Sequence, residues 1–199
     1  MLALACVFLV ISSVFVYAEN PYEIGYSGGS ASTPVNLTTT NGGLNGGEIT
    51  PTKLDVTVPT SLPLAMSDDG SVVTATDARI VNRSYGAVRV KSVTITAAQN
   101  WNLYPFGDKS TLANEKVDSN KIGFAIRIGG GQQAMTVNEN PSQVLISAPA
   151  AGCYMTGVGD PNGNTAQIDY AAIVTPLSDG VSDATVANVI IVVEWDTVG

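Results

Sequence analysis

The sequence predicts an all-β fold, a two-sheet antiparallel β-sandwich of jelly-roll or immunoglobulin-like type with about nine or ten strands. Three observations predict it. Between residues 53 and 196 short apolar runs alternate with polar residues at period two, the mark of strands with one buried face. Gly, Asn, Asp and Pro interrupt these runs about every 8 to 12 residues, as turns do. No part of this region carries the 3.6-residue apolar period of an amphipathic helix. The chain divides into an apolar leader over 1–18, a flexible arm over 19–52 and the sandwich over 53–199.

The first strand is read in Lys53-Leu54-Asp55-Val56-Thr57-Val58, where Leu54, Val56 and Val58 would share the buried face. Pro59 stops it, because proline has no N–H to give a ladder. A second run, Leu62 to Met66, ends at Ser67-Asp68-Asp69-Gly70, where glycine supplies the positive φ of a tight turn. Val72 and Val73 begin the next strand, Ala78 to Val81 another, and Asn82, Ser84 and Gly86 mark a reversal.

From Val88 to Ile95 the apolar parity changes: Val88 and Val90 point one way, Val93 and Ile95 the other. For all four to face one core, a residue must be inserted near Lys91-Ser92 as a β-bulge. The rival reading is a strand buried on both faces, against which Arg89, Lys91, Thr94 and Thr96 suit a wet face. Ser110 to Asn120 is polar with room for one helical turn. In Lys121 to Ile128, Ile122, Phe124, Ile126 and Ile128 line one face and Lys121, Gly123, Ala125 and Arg127 the other. Gly129-Gly130-Gly131 ends that strand without the spacing or following helix of a phosphate-binding loop. Strands follow at Met135–Val137, Gln143–Ser147, Ile168–Thr175 and Thr185–Trp195. The last is apolar on both faces from Val189 to Val193, which predicts a central place in its sheet.

Composition narrows the chemistry. The 199 residues carry a net charge of −8, with 17 acidic and 9 basic residues, which speaks against nucleic acid or anionic lipid as partner. There is no histidine, so Ser-His-Asp and Cys-His nucleophiles and histidine-held metals are excluded. Cys6 lies in the leader and Cys153 in the body, so a processed chain has no internal disulfide. No cofactor is expected.

Residues Leu2 to Tyr17 contain no charge and match a signal-peptide core, with Ala18 before the cleavage point and Glu19 after it. Two other readings use the same residues: a lipobox-like Ala3-Leu4-Ala5-Cys6, and a retained hydrophobic helix of pilin type, the one route by which the chain would meet a membrane. The arm is rich in Gly, Ser, Thr and Asn, the composition of a flexible linker. Within it Val35-Asn36-Leu37-Thr38 alternates like a strand that could pair with a sheet edge of another subunit, and Ile24 lies upstream. Asn36-Leu37-Thr38 and Asn82-Arg83-Ser84 match the glycosylation sequon.

Three further groups are candidate sites. Trp101, Tyr104 and Phe106 could stack on sugars, or fill one end of the core. Asp160, Asn162 and Asn164 alternate as weak calcium candidates, although Thr165 and Ala171 replace the glycine and closing carboxylate of a calcium loop. Glu194 and Asp196 share a strand face, as a carboxylate pair would.

The leader, the LDVTVPTSLPLA segment, TATDARIVNRS, VRVKSVTIT with a tryptophan after it, and the closing IIVVEWD together resemble surface proteins of Gram-positive bacteria. The similarity is to the TasA/camelysin-like biofilm fibre proteins and, less closely, to WxL-type wall-binding domains, over roughly Lys53 to Asp196. It implies a secreted, non-catalytic subunit whose partners are copies of itself or cell-wall and matrix components, with an N-terminal segment completing the next subunit's sheet. A carbohydrate-binding module is the alternative.

Overall fold

The computed structural model describes residues 53–147 and 151–197. The strands, in chain order, are β1 (Val56–Thr57), β2 (Leu64–Met66), β3 (Val72–Thr74), β4 (Arg79–Asn82), β5 (Val88–Ala97), β6 (Asn102–Tyr104), β7 (Lys121–Ile128), β8 (Ala134–Met135), β9 (Ser142–Ile146), β10 (Tyr154–Met155), β11 (Thr165–Val174) and β12 (Ala187–Trp195). One helical turn, α1 (Ser110–Ala113), lies between β6 and β7. Two layers enclose one apolar core. The first runs β1-β4-β11-β7-β6, with β8 continuing beside β7. In the second, β5 pairs with β12 on one side and with β9 and β10 on the other. The hairpin β2-β3 is a separate small sheet.

β5 anchors the second layer. Val88, Val90, Val93 and Ile95 are all fully buried despite their opposite parities, and the register shows how. Val192 faces Ser92, and the next residue, Val193, faces Val90, so Lys91 is the inserted residue. The bulge expected at Lys91-Ser92 is therefore present. β9 uses the same device: Ile146 faces Val93 and Val144 faces Thr94, leaving Leu145 over, so that Gln143 and Ile146 are both buried. Burying each β5 side chain is worth about 1.5–3 kcal/mol. A one-residue slip would therefore forfeit an amount on the scale of a whole domain's net stability, about 5–15 kcal/mol.

β7 buries Ile122, Phe124, Ile126 and Ile128 as its period requires, and on its other face, where Arg127 is exposed, Gly123 and Ala125 are buried too. The segment 105–120 lies against this face at Gly123. It carries the chain from β6 back to the same end of the sheet, so β6 and β7 run parallel, the one exception among the described strand pairs to the expected antiparallel layout. A methyl group on Gly123 would come within 3.0 Å of Phe106 Cα and 2.7 Å of Ile173 Cγ1, so glycine permits the close approach. Thr136 ties this region together, its hydroxyl bonded to the Tyr104 carbonyl and its backbone carbonyl accepting the Phe106 N–H at 2.9 Å.

The opening strand differs from expectation. β1 is an edge pairing of two residues with β4, stopped before Pro59, and Leu54 and Val58 are exposed. The hairpin β2-β3 turns at Gly70 with φ +76°, as read from the sequence. Tyr170 of β11 clamps it, donating to the Pro63 carbonyl at 2.8 Å and accepting the Ala75 N–H at 3.2 Å. The triple glycine ends β7 where backbone crosses backbone. Gly129 has φ +55° and Gly152 φ +86°, and a side chain on Gly152 would strike the Gly130 backbone. Cys153 is buried beside it, its thiol pointing to the Ile128 carbonyl and pushed up in pKa by burial.

The reversal after β4 is held by Asn82, which is fully buried. Its amide NH2 donates to the carbonyls of Gly86 at 2.9 Å and Thr156 at 2.8 Å, and its Oδ1 accepts the Ser84 N–H at 2.9 Å. Ser84 in turn accepts the Asp55 N–H at 2.8 Å. The second sequon is thus a structural node with its amide nitrogen spent. The first, at Asn36, lies outside the described residues.

Two variants test this account by thermal denaturation. Asn82→Ala strands three buried or half-buried polar groups and should cost about 2–4 kcal/mol. Deleting Lys91 should abolish cooperative melting, whereas Lys91→Ala, which keeps the count, should stay within about 1 kcal/mol of wild type.

Candidate functional site

The prediction that β12 sits centrally is overturned. β12 pairs with β5 alone and forms the edge of the second layer. Its backbone on the far side has no partner among the described residues. Val186 gives its carbonyl to the Ala98 N–H at 3.0 Å, and Asp196 gives its N–H to the Ala87 carbonyl at 3.0 Å. Alternation along the strand then turns the N–H and C=O of Ala187, Val189, Ile191 and Val193 to the open side. Apolar residues fill both faces for a reason other than central burial. Val189, Ile191 and Val193 pack against the core, while Ile190 and Val192 stand on the outer face at 56% and 40% exposure.

That outer face has an apolar half and a charged half. Across the sheet Ile190, Thr94 and Val144 are in register, with Val144 59% exposed. Beyond the bulge Tyr154, Arg89 and Glu194 are in register instead. Glu194 binds Arg89 and Lys91 at 3.0 Å each, and Asp196 lies 3.5 Å from Arg89. The expected pair Glu194 and Asp196 does share a face, but as part of a four-residue ion cluster. The Lys91 ammonium, then Arg89, hold the Glu194 carboxyl below the ordinary glutamate range, opposite to the raised value that suits a general acid.

The other described edges of the two layers are shorter: β1, β8 and β10 have two residues each, β6 three and β9 five, whereas β12 has nine. Natural sheets blunt exposed edges with lysine, proline or a bulge. From Ala187 to Val193 β12 has neither residue, and the bulge opposite it belongs to β5.

The aromatic residues do not form one platform. The Lys121 ammonium sits 4.8 Å from the centre of the Tyr104 ring, and Phe106 lies over Gly123. Trp101 is half-buried, packs against the core, and lines a cleft of about 350 Å³ with Gln99, Asn100, Asp118, Asn120 and Ser178. A second cleft of about 380 Å³, beside β4, has no aromatic ring in its lining.

Asp160, Asn162 and Asn164 form a closed turn. Asp160 Oδ1 accepts the Asn162 N–H and Oδ2 the Thr156 hydroxyl, both at 3.2 Å, while its backbone carbonyl takes the N–H groups of Gly163 and Asn164 at 3.1 Å. Asn164 turns its amide to the Asn82 carbonyl at 3.3 Å, away from any shared ion. Ala18, Glu19, Ile24, Val35, Asn36, Leu37 and Thr38 lie outside the described residues. Among the described residues no helix is long and apolar enough to cross a membrane.

Comparison with protein-family models, with curated proteins and with solved structures finds no match.

The ion cluster gives a pH signature. A carboxyl whose folded pKa is depressed contributes stability above its ordinary range and loses it as the pH falls through the lower folded value. Glu194→Gln should therefore melt below wild type at neutral pH, and the gap should close on acidification. An equal gap at every pH would rule out the ion cluster as its source.

Proposed function

We propose that this chain is a non-catalytic, secreted cell-surface structural protein. It is a filament or matrix subunit in which the N-terminal arm of one copy adds as a strand to β12 of the next. The observation that carries this reading is the free edge of β12: nine residues, apolar, with backbone donors and acceptors on the open side and neither lysine nor proline before Glu194. Such an edge is a template for strand addition.

The arm has a segment of the required kind. In Val35-Asn36-Leu37-Thr38, Val35 and Leu37 fall on one face of an extended chain. They can extend the inner apolar row of Val189 and Ile191, leaving Asn36 and Thr38 on the outer face. The glycine-rich residues around it, Gly42-Gly43 and Gly46-Gly47, give the reach that a bridge between copies needs. Export rests on the uncharged leader and the residues around Ala18 and Glu19. The acidic balance keeps an exported chain soluble before assembly.

Sedimentation velocity of three proteins tests the proposal: the full chain, the chain lacking 19–52, and Ile191→Pro. Ile191 turns its N–H to the open side, so proline there removes a donor for an added strand without taking a bond from β5. The full chain should form a concentration-dependent series of polymers, and both variants should sediment as monomers with the far-ultraviolet dichroism of a β protein. Polymers persisting in both variants would end this reading. Polymers lost only with the arm would move the acceptor away from β12.

A further inference from the structure

We infer that the cleft beside Trp101 binds a neutral saccharide, with the indole as stacking surface and a ring of side-chain amides as the polar contacts. The cleft lies where β5 runs into β6, at the end of the sandwich reached by the 177–184 loop. Its volume, about 350 Å³, is at the small end of the range of about 300–1,000 Å³ for ligand sites.

The lining fixes the ligand class. Trp101 offers a flat apolar face of the kind that covers the C–H side of a pyranose. Gln99, Asn100 and Asn120 each bring an amide that both donates and accepts, which hydroxyl groups require. None of these three amides has a hydrogen-bond partner among the described residues. No lysine or arginine lines the cleft, and Asp118 and Asp179 do, so an anion is disfavoured. A metal ion is disfavoured as well. The Asp118 carboxylate is already spent on Ser178, accepting its N–H at 2.8 Å and its hydroxyl at 2.6 Å.

The backbone is preformed. Among the described residues, the non-glycine positions with positive φ are Asn100 at 68°, Asp118 at 61°, Asn120 at 52° and Asp183 at 51°. The first three line this cleft, and the fourth adjoins Ala184, which also lines it. Left-handed backbone at such residues persists where its surroundings fix it. Here the Asp118 N–H is held by the Pro176 carbonyl at 2.9 Å, the Trp101 N–H by Ala98 at 3.0 Å, and the Asn120 carbonyl by the Asn102 N–H at 2.8 Å. These bonds fix the backbone from which the amides and the indole project, which lowers the ordering cost of binding.

Isothermal titration calorimetry of the full chain tests the assignment, using cello-, chito- and malto-oligosaccharides and calcium chloride alone. Because Trp101 also packs against the core, the informative variants are Gln99→Ala and Asn120→Gly, the latter keeping the left-handed backbone while removing the amide. At least one saccharide should give saturable heat, and each variant should weaken Kd about tenfold or more, with an unchanged melting temperature. Absence of saturable heat with all three sugars would overturn the assignment, as would binding of calcium alone or variants that bind as tightly as wild type. The site does not depend on strand addition: Ile191→Pro, expected to be monomeric, should bind the same sugar with wild-type affinity.

Discussion

Strand β5 has to send four apolar side chains into one core from a sequence whose alternation changes phase half-way, and a single inserted residue, Lys91, makes this possible. Everything in the second layer takes its register from that correction. β12 follows β5 on one side, and β9 carries its own extra residue, Leu145, on the other. A strand's side chains strictly alternate, so without the insertion half of this row would face water. The same irregularity separates the apolar half of the outer face, around Ile190 and Val144, from the charged half around Arg89 and Glu194. One backbone feature thus organises both the inside and the outside of the sheet.

Polar nodes complete the packing where apolar contact alone would not specify it. Asn82 closes a reversal, Tyr170 fastens the β2-β3 hairpin, and Thr136 stitches β6, β7 and β8. Each is a buried or half-buried group with its hydrogen-bonding capacity used across elements far apart in sequence, which is costly to break and intolerant of alternative arrangements. The one described cysteine is buried and unpaired, so cohesion in the described domain comes from the core and these nodes.

Much of the fold was legible in the sequence, because period-two burial acts on each strand separately. The Lys91 bulge, the buried face of β7, the turn at Gly70 and the single helical turn all follow from local pattern. What was hidden depends on neighbours. The burial of Gly123 on the second face of β7 was not announced, because nothing local shows that the 105–120 crossover will lie against it. Val189 to Val193 read as central because apolar residues on both faces are consistent with burial and equally with an open edge whose outer face is apolar. Strands of two or three residues, such as β6 and β10, are shorter than the pattern that would reveal them. Of the residues lining the cleft beside Trp101, the sequence singled out Trp101 alone, by its ring. That Gln99, Asn100, Asp118 and Asn120 line it too was not legible, since polar residues in two separate loops carry no signal of meeting. Asn100 and Asn120 do belong to the residue types that tolerate left-handed backbone, which was the one available hint.

The burial of Asn82 has a consequence for how the chain would behave in a secretory pathway that glycosylates asparagine. Its amide nitrogen is accessible only before β4, the Gly86 turn and the Thr156 loop have come together. An oligosaccharyltransferase could modify it only on a nascent or unfolded molecule, and a glycan added then would block the reversal from closing. Occupancy at that sequon would accordingly record the race between translocation and folding, and the modified fraction would be the fraction destined for quality control.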